Sequence, residues 1–117
     1  MRSILLDESV PAGLRRLLED LSVKTVPEMG WAGISNGRLL DEAERAAFDV
    51  LVTADRNLRW QQRLAGRKIG VVVLPTNRWN VVRPNAQAIA EGCHRVGEGA
   101  HIELTFGSRS PEKGPSL

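Results

Sequence analysis

Apolar and polar positions fall into short blocks along the chain, and their period switches between that of a strand and that of a helix. SILL, residues 3–6, is a nearly unbroken apolar run suited to a strand buried on both faces. Pro11 stands where a first helical turn tolerates it, and Leu14, Leu17, Leu18 and Leu21 follow at i, i+3, i+4 and i+7, with Arg15, Arg16, Glu19 and Asp20 opposite. That pattern predicts an amphipathic helix. VKTV, 23–26, predicts a second strand, and the glycine-bearing loop EMGWAGIS leads to a helix that Ser35 or Asn36 caps. The stripe of that helix is Leu39, Leu40, Ala43, Ala46 and Ala47. DVLVT is strand three, Leu58 to Leu64 a short helix closed by Gly66, and IGVVVL strand four. A loop, PTNRWNVVR, runs to Pro84, which opens a helix with Ala86, Ile89, Ala90, Cys93 and Val96 on its buried face. HIEL is a last strand.

Strands alternating with helices imply an α/β fold with a mostly parallel central sheet flanked by helices, its crossovers right-handed. Ligands of such sheets bind beyond the carboxyl ends of the strands, where the strand order reverses. If strands two and three lie on opposite sides of strand one, the reversal falls between strands one and three. Asp7 and Asp55 stand at the ends of those two strands.

Composition bounds the possibilities. The chain has 117 residues, 42% hydrophobic and 26% charged, as expected of one globular domain. The domain is expected over residues 1–106, with GSRSPEKGPSL, 107–117, as a disordered tail. No apolar run approaches the length of a membrane span, and MRSILLDE reaches acidic residues before a signal-peptide core could form, so a cytoplasmic address is expected. A lone Cys93 excludes an internal disulfide, and no Cys/His cluster has zinc spacing. Any metal is left to oxygen ligands. His94 and His101 show no ligand-pair spacing.

Two strand-end carboxylates brought close together repel one another, and a hard divalent cation is a usual remedy. Magnesium commonly takes one or two protein carboxylates and leaves its other positions to water and phosphate. Glu8 reaches the site only if the chain turns after Asp7, and Asn36 and Asp41 frame the start of the second helix. The bland alternative is that Asp7 and Asp55 only cap loops or helix ends. Charge is also unevenly placed: Arg56, Arg59, Arg63, Arg67, Lys68, Arg78 and Arg83 follow one another with no Asp or Glu between them. Such a block is either a solvated face or a phosphate-facing surface. Trp31, Trp60 and Trp79 all follow strands, and tryptophan beside arginine is one way to stack unpaired bases while neutralising their phosphates. Arg56, Arg59, Trp60, Asn77, Arg78 and Trp79 are the candidate nucleic-acid contacts, with Thr76 adding a donor to the same rim.

ILLDESVP, GWAGISNGRLLDEA and FDVLVTADRNL, in that order and at these spacings, resemble the DUF5615 group of PIN-like proteins, related to the PIN-domain ribonucleases. The resemblance covers about residues 2–104. It implies a three-layer PIN-like fold and a metal-dependent endoribonuclease, the toxin of a toxin–antitoxin pair, using Mg²⁺ or Mn²⁺. Carried over, Asp7 and Asp55 hold metal, Glu8 and Asn36 assist them in catalysis, and Thr53 steadies the Asp55 loop. Ser9 stands where the family has Asn, Asn36 where it often has Asp, and Asn57 replaces the second Asp of the last motif. Amides keep oxygen ligands but remove charge, so metal affinity is expected to fall. A second reading keeps the fold without the reaction, as an inactive nucleic-acid or protein-binding module. A third is a receiver-like signalling domain, since ILLDE and FDVLVTAD mimic an acidic pair and a phosphorylatable aspartate, although no Lys-Pro follows a fifth strand. The partners these readings allow are RNA, an antitoxin-like protein and a second copy in a homodimer, with no membrane.

Overall fold

A computed structural model of the protein describes residues 1–58 and 63–106. Its centre is a five-stranded, all-parallel sheet of β1 (Ser3–Leu6), β2 (Ser22–Thr25), β3 (Val50–Thr53), β4 (Gly70–Val73) and β5 (His101–Glu103), in the order β2-β1-β3-β4-β5. The period-2 side-chain alternation of these short apolar strands feeds two separate cores. Ile4, Leu6, Val50, Val52 and Val72 face one layer, where they meet Leu14, Leu18, Ile89 and Cys93. Leu5, Leu51, Val71 and Val73 face the other, where they meet Leu39, Leu40, Ala43 and Phe48. The molecule is therefore a three-layer α/β domain with the sheet in the middle.

The helix expected around Leu14 to Leu21 is a correction. Residues Ala12–Leu17 form a 3₁₀ helix; Leu14, Leu18 and Leu21 are buried, and Leu17 is 40% exposed. The coil ends at Leu18, whose φ of −108° and ψ of 55° are not helical, and turns at residues 19–20 carry Leu21 to the start of β2.

On the opposite layer, α1 (Asn36–Arg45) begins where expected, with Ser35 as its N-cap accepting from the Arg38 N–H. Its stripe stops earlier than the alanines suggested. Ala46 and Ala47 are exposed, and Ala47 takes a left-handed φ of 66° that turns Phe48 into the core. The loop expected over 75–83 is also partly helical, with α2 at Trp79–Val82 and a 3₁₀ turn at Arg83–Asn85 that runs into α3 (Ala86–Arg95). Pro84 sits in that 3₁₀ turn rather than at the head of the α-helix. Arg2 donates to the carbonyls of Cys93 and Val96 at 2.9 and 2.7 Å, satisfying the negative end of α3. Burial pushes the Cys93 thiol up to about 12, which makes it a core residue. Gly70 opens β4 without a side chain because a Cβ there would stand 2.7 Å from the Gly97 carbonyl oxygen. The short helix expected over Leu58 to Leu64, and the tail from 107, lie wholly or partly outside the described residues. Among the described residues no helix is long and apolar enough to cross a membrane.

Candidate functional site at the β1/β3 crevice

The order β2-β1-β3 sends the chain to opposite sides of β1, so the reversal lies between β1 and β3 as the sequence suggested. Asp7 extends the β1 ladder by one bond, its N–H donating to the Val52 carbonyl at 2.9 Å. Its side chain then emerges at the carboxyl edge of the sheet. Thr53, fully buried at the end of β3, donates its hydroxyl to Asp7 Oδ2 at 2.8 Å. Ser9 donates to the same oxygen at 2.8 Å and accepts from the Ala54 N–H at 3.0 Å. Two hydroxyls thus clamp one oxygen of Asp7, while no described residue donates to Oδ1.

Thr53 also links the two carboxylates. Its Oγ1 accepts from the Asp55 N–H at 3.0 Å, which fixes the backbone that carries Asp55. Asp55 Oδ1 accepts from the Asn57 N–H at 3.0 Å, and Oδ2 from Asn36 Nδ2 at 3.3 Å. Asn36 is the first residue of α1, so the capped start of that helix delivers its amide into the crevice from the opposite layer. The sequence-level candidates Asp7, Thr53, Asp55 and Asn36 form one connected hydrogen-bonded group. Ser9, read in the sequence only as a departure from a motif, belongs to it as a clamp on Asp7. The signal was its spacing of two from Asp7 after a strand, an arrangement typical of side-chain-closed turns.

Glu8 is not drawn into this group. Its Oε1 accepts from the Gly33 N–H at 3.0 Å, tying the loop ahead of α1 to the end of β1. Asn57 contributes its backbone N–H to Asp55, and its side chain is exposed. Asp41 belongs elsewhere as well. With Glu44 it accepts from Arg67, at 2.9 Å for Asp41. Burial pulls the Arg67 guanidinium down, but its hydrogen bonds to both carboxylates outweigh this and hold it above the ordinary arginine value. The basic block is therefore not one continuous face: Arg67 is turned onto α1, whereas Arg83 lies with α2 and α3 on the other layer. Trp31 packs edge-on against Phe48, ring centroids 6.1 Å apart, and pins the loop to the core. Arg59 and Trp60 lie outside the described residues. Asn77, Arg78 and Trp79 are exposed on the loop and helix after β4.

The donor set suits a hard cation in kind. Asp7 and Asp55 supply two carboxylates, and the Asn36 amide can turn to offer its oxygen in place of its nitrogen. It falls short in charge, since among the described residues no three His, Cys, Asp or Glu side chains converge as a metal site. Comparisons of the chain with protein-family models, with curated proteins and with solved structures return no match.

Proposed function

We propose that the crevice is a weak, single-ion phosphodiester-hydrolysing site of the PIN-like kind, acting on unstructured RNA. The observation that carries this reading is the coupling of Asp7 to Asp55 through Thr53 at the reversal point of the sheet. A bound magnesium or manganese ion would polarise a phosphate and make a water a better nucleophile. Asp7 and Asp55 would hold that ion, with Asn36 beside them. The Ser9 and Thr53 hydroxyls orient Asp7 by occupying Oδ2, so that Oδ1 is presented to the crevice. Glu8 acts at a distance by fixing the loop ahead of α1. An antitoxin-like partner belongs to the same reading. Titration calorimetry with Mn²⁺, together with cleavage of a labelled unstructured RNA, tests it: Asp55→Asn should abolish both signals, and Asn36→Asp should tighten binding. Equal heats for wild type and Asp55→Asn would remove the site.

One observation favours a different reading. The order β2-β1-β3-β4-β5 is also that of flavodoxin-like and receiver domains, a likeness at the level of fold alone. On that reading Asp55 would accept a phosphoryl group. Against it, residues 74–79 and 104–106, beyond β4 and β5, contain no lysine. A phosphoryl mass gain on Asp55 after incubation with acetyl phosphate would establish it. Metal binding without cleavage or phosphorylation would leave the third option, an inactive binding module.

A further inference from the structure

A hollow also lies away from the crevice. A groove of about 630 Å³ is lined by Leu17, Trp79, Asn80, Arg83, Pro84 and Ala86, between the 3₁₀ segment after β1 and the helices after β4. Trp79 is 40% exposed, and its benzo ring lies against Gly13, where a Cβ would stand 3.1 Å from Cη2. Gly13 also lines a second hollow of about 540 Å³, together with Ala12, Arg15, Arg16 and Thr25. The two segments that form these hollows, residues 10–18 and 75–90, carry Arg15, Arg16, Arg78 and Arg83 and no Asp or Glu. Arg15 is paired with Glu28 at 2.9 Å, and among the described residues Arg16, Arg78 and Arg83 have no ion pair.

We propose that this groove binds a single-stranded oligonucleotide, Trp79 stacking on a base while Arg83 on the groove wall and Arg16 in the adjoining hollow take the flanking phosphates. An exposed indole held on a bare glycine, flanked by arginines with no ion pair among the described residues, complements a planar base joined to anions. An amphipathic peptide helix fits less well. It would need apolar anchors at i, i+3, i+4 and i+7, and here the large exposed apolar side chains are only Leu17 and Trp79. Both walls of the groove leave the carboxyl ends of β1 and β4, the end of the sheet that carries Asp7 and Asp55. The choice of RNA rests on the phosphodiester reading of the crevice and extends it by assigning a surface to grip the substrate.

The probe is a labelled oligouridylate, titrated by fluorescence anisotropy in EDTA so that the outcome does not depend on metal or cleavage. Wild type should bind the single strand more tightly than a duplex of equal length. The double change Arg16→Ala with Arg83→Ala should weaken binding about tenfold or more, and should reduce the slope of log K against log salt by about 1.4, two phosphates' worth for a single strand. Trp79→Ala should cost about fivefold to a hundredfold. Arg45→Ala, on α1, is the control that should change nothing; circular dichroism checks each fold. Both arginines are exposed, so the double variant carries the test even if Trp79→Ala fails to fold. Absence of binding at low salt, or binding that the arginine changes leave intact, would overturn the proposal. So would a concentration-dependent dimer, or capture of an acidic peptide, that occupies the groove in place of RNA.

Discussion

The crevice and the groove are both built on segments that follow the carboxyl ends of strands, yet they spend their polar groups in opposite ways. In the crevice, Asp7 and Asp55 are held by Ser9, Thr53, Asn57 and Asn36, so the charged groups are oriented by neighbours before any guest arrives. At the groove and the hollow that adjoins it, Arg83 and Arg16 have no ion pair among the described residues and flank a half-exposed tryptophan. The first arrangement suits a site where geometry decides chemistry. The second suits a surface that gains its electrostatic energy only when an anion comes to it. Mutations should therefore cost stability in the crevice and little in the groove.

The sharpest test is Thr53→Val, which keeps shape and burial but removes the hydroxyl that serves both Asp7 and Asp55. A loss of about 1–3 kcal/mol is expected from urea unfolding, because two groups lose a partner at once. Ser9→Ala should follow at about 1 kcal/mol in the same assay, as the Ala54 N–H and Asp7 each lose one bond. A negligible effect for both would mean that the network does not hold the crevice. Gly13→Ala should lie within about 1 kcal/mol of wild type, since a gain in chain stiffness opposes the push on the indole. Acrylamide should nevertheless quench Trp79 more readily. Arg83→Ala should be smallest on this scale, within about 0.5 kcal/mol.

A pH test sharpens the contrast at Arg15, which is paired with Glu28 in the hollow beside the groove. Glu28 is held below its ordinary value of 4.5, chiefly because the Thr25 N–H donates to it at 2.7 Å and then through the charge of Arg15. A carboxylate lowered in the folded state contributes stability that is complete above 4.5 and is lost as pH falls through the lower folded value. Thermal melts of wild type and Glu28→Gln should differ most at neutral pH and converge in acid. A constant difference across the acid range would refute the assignment.

The chain itself determined the strands and their order of appearance. Runs such as GVVV and SILL have no helical period, and as strands the parallel sheet buries them on both faces. It also determined the start of α1, because Ser35 ahead of a 3.6-period stripe is a local signal, and the placing of Asp7 and Asp55 at strand ends. Tertiary structure decided the rest. The Leu14 to Leu21 stripe is as helical in pattern as that of α1, yet residues 12–17 coil as 3₁₀ and the chain leaves helical geometry at Leu18, a difference that apolar spacing alone does not encode. Strand order brought Asn36 to Asp55, and the packing of α1 took Arg67 to Asp41, 26 residues away, and out of the basic block. Trp31 and Trp79 look alike in the sequence, each following a strand. Phe48 closes over one, whereas the other rests on Gly13 and keeps a face in solvent, since burial depends on what the fold sets opposite a side chain.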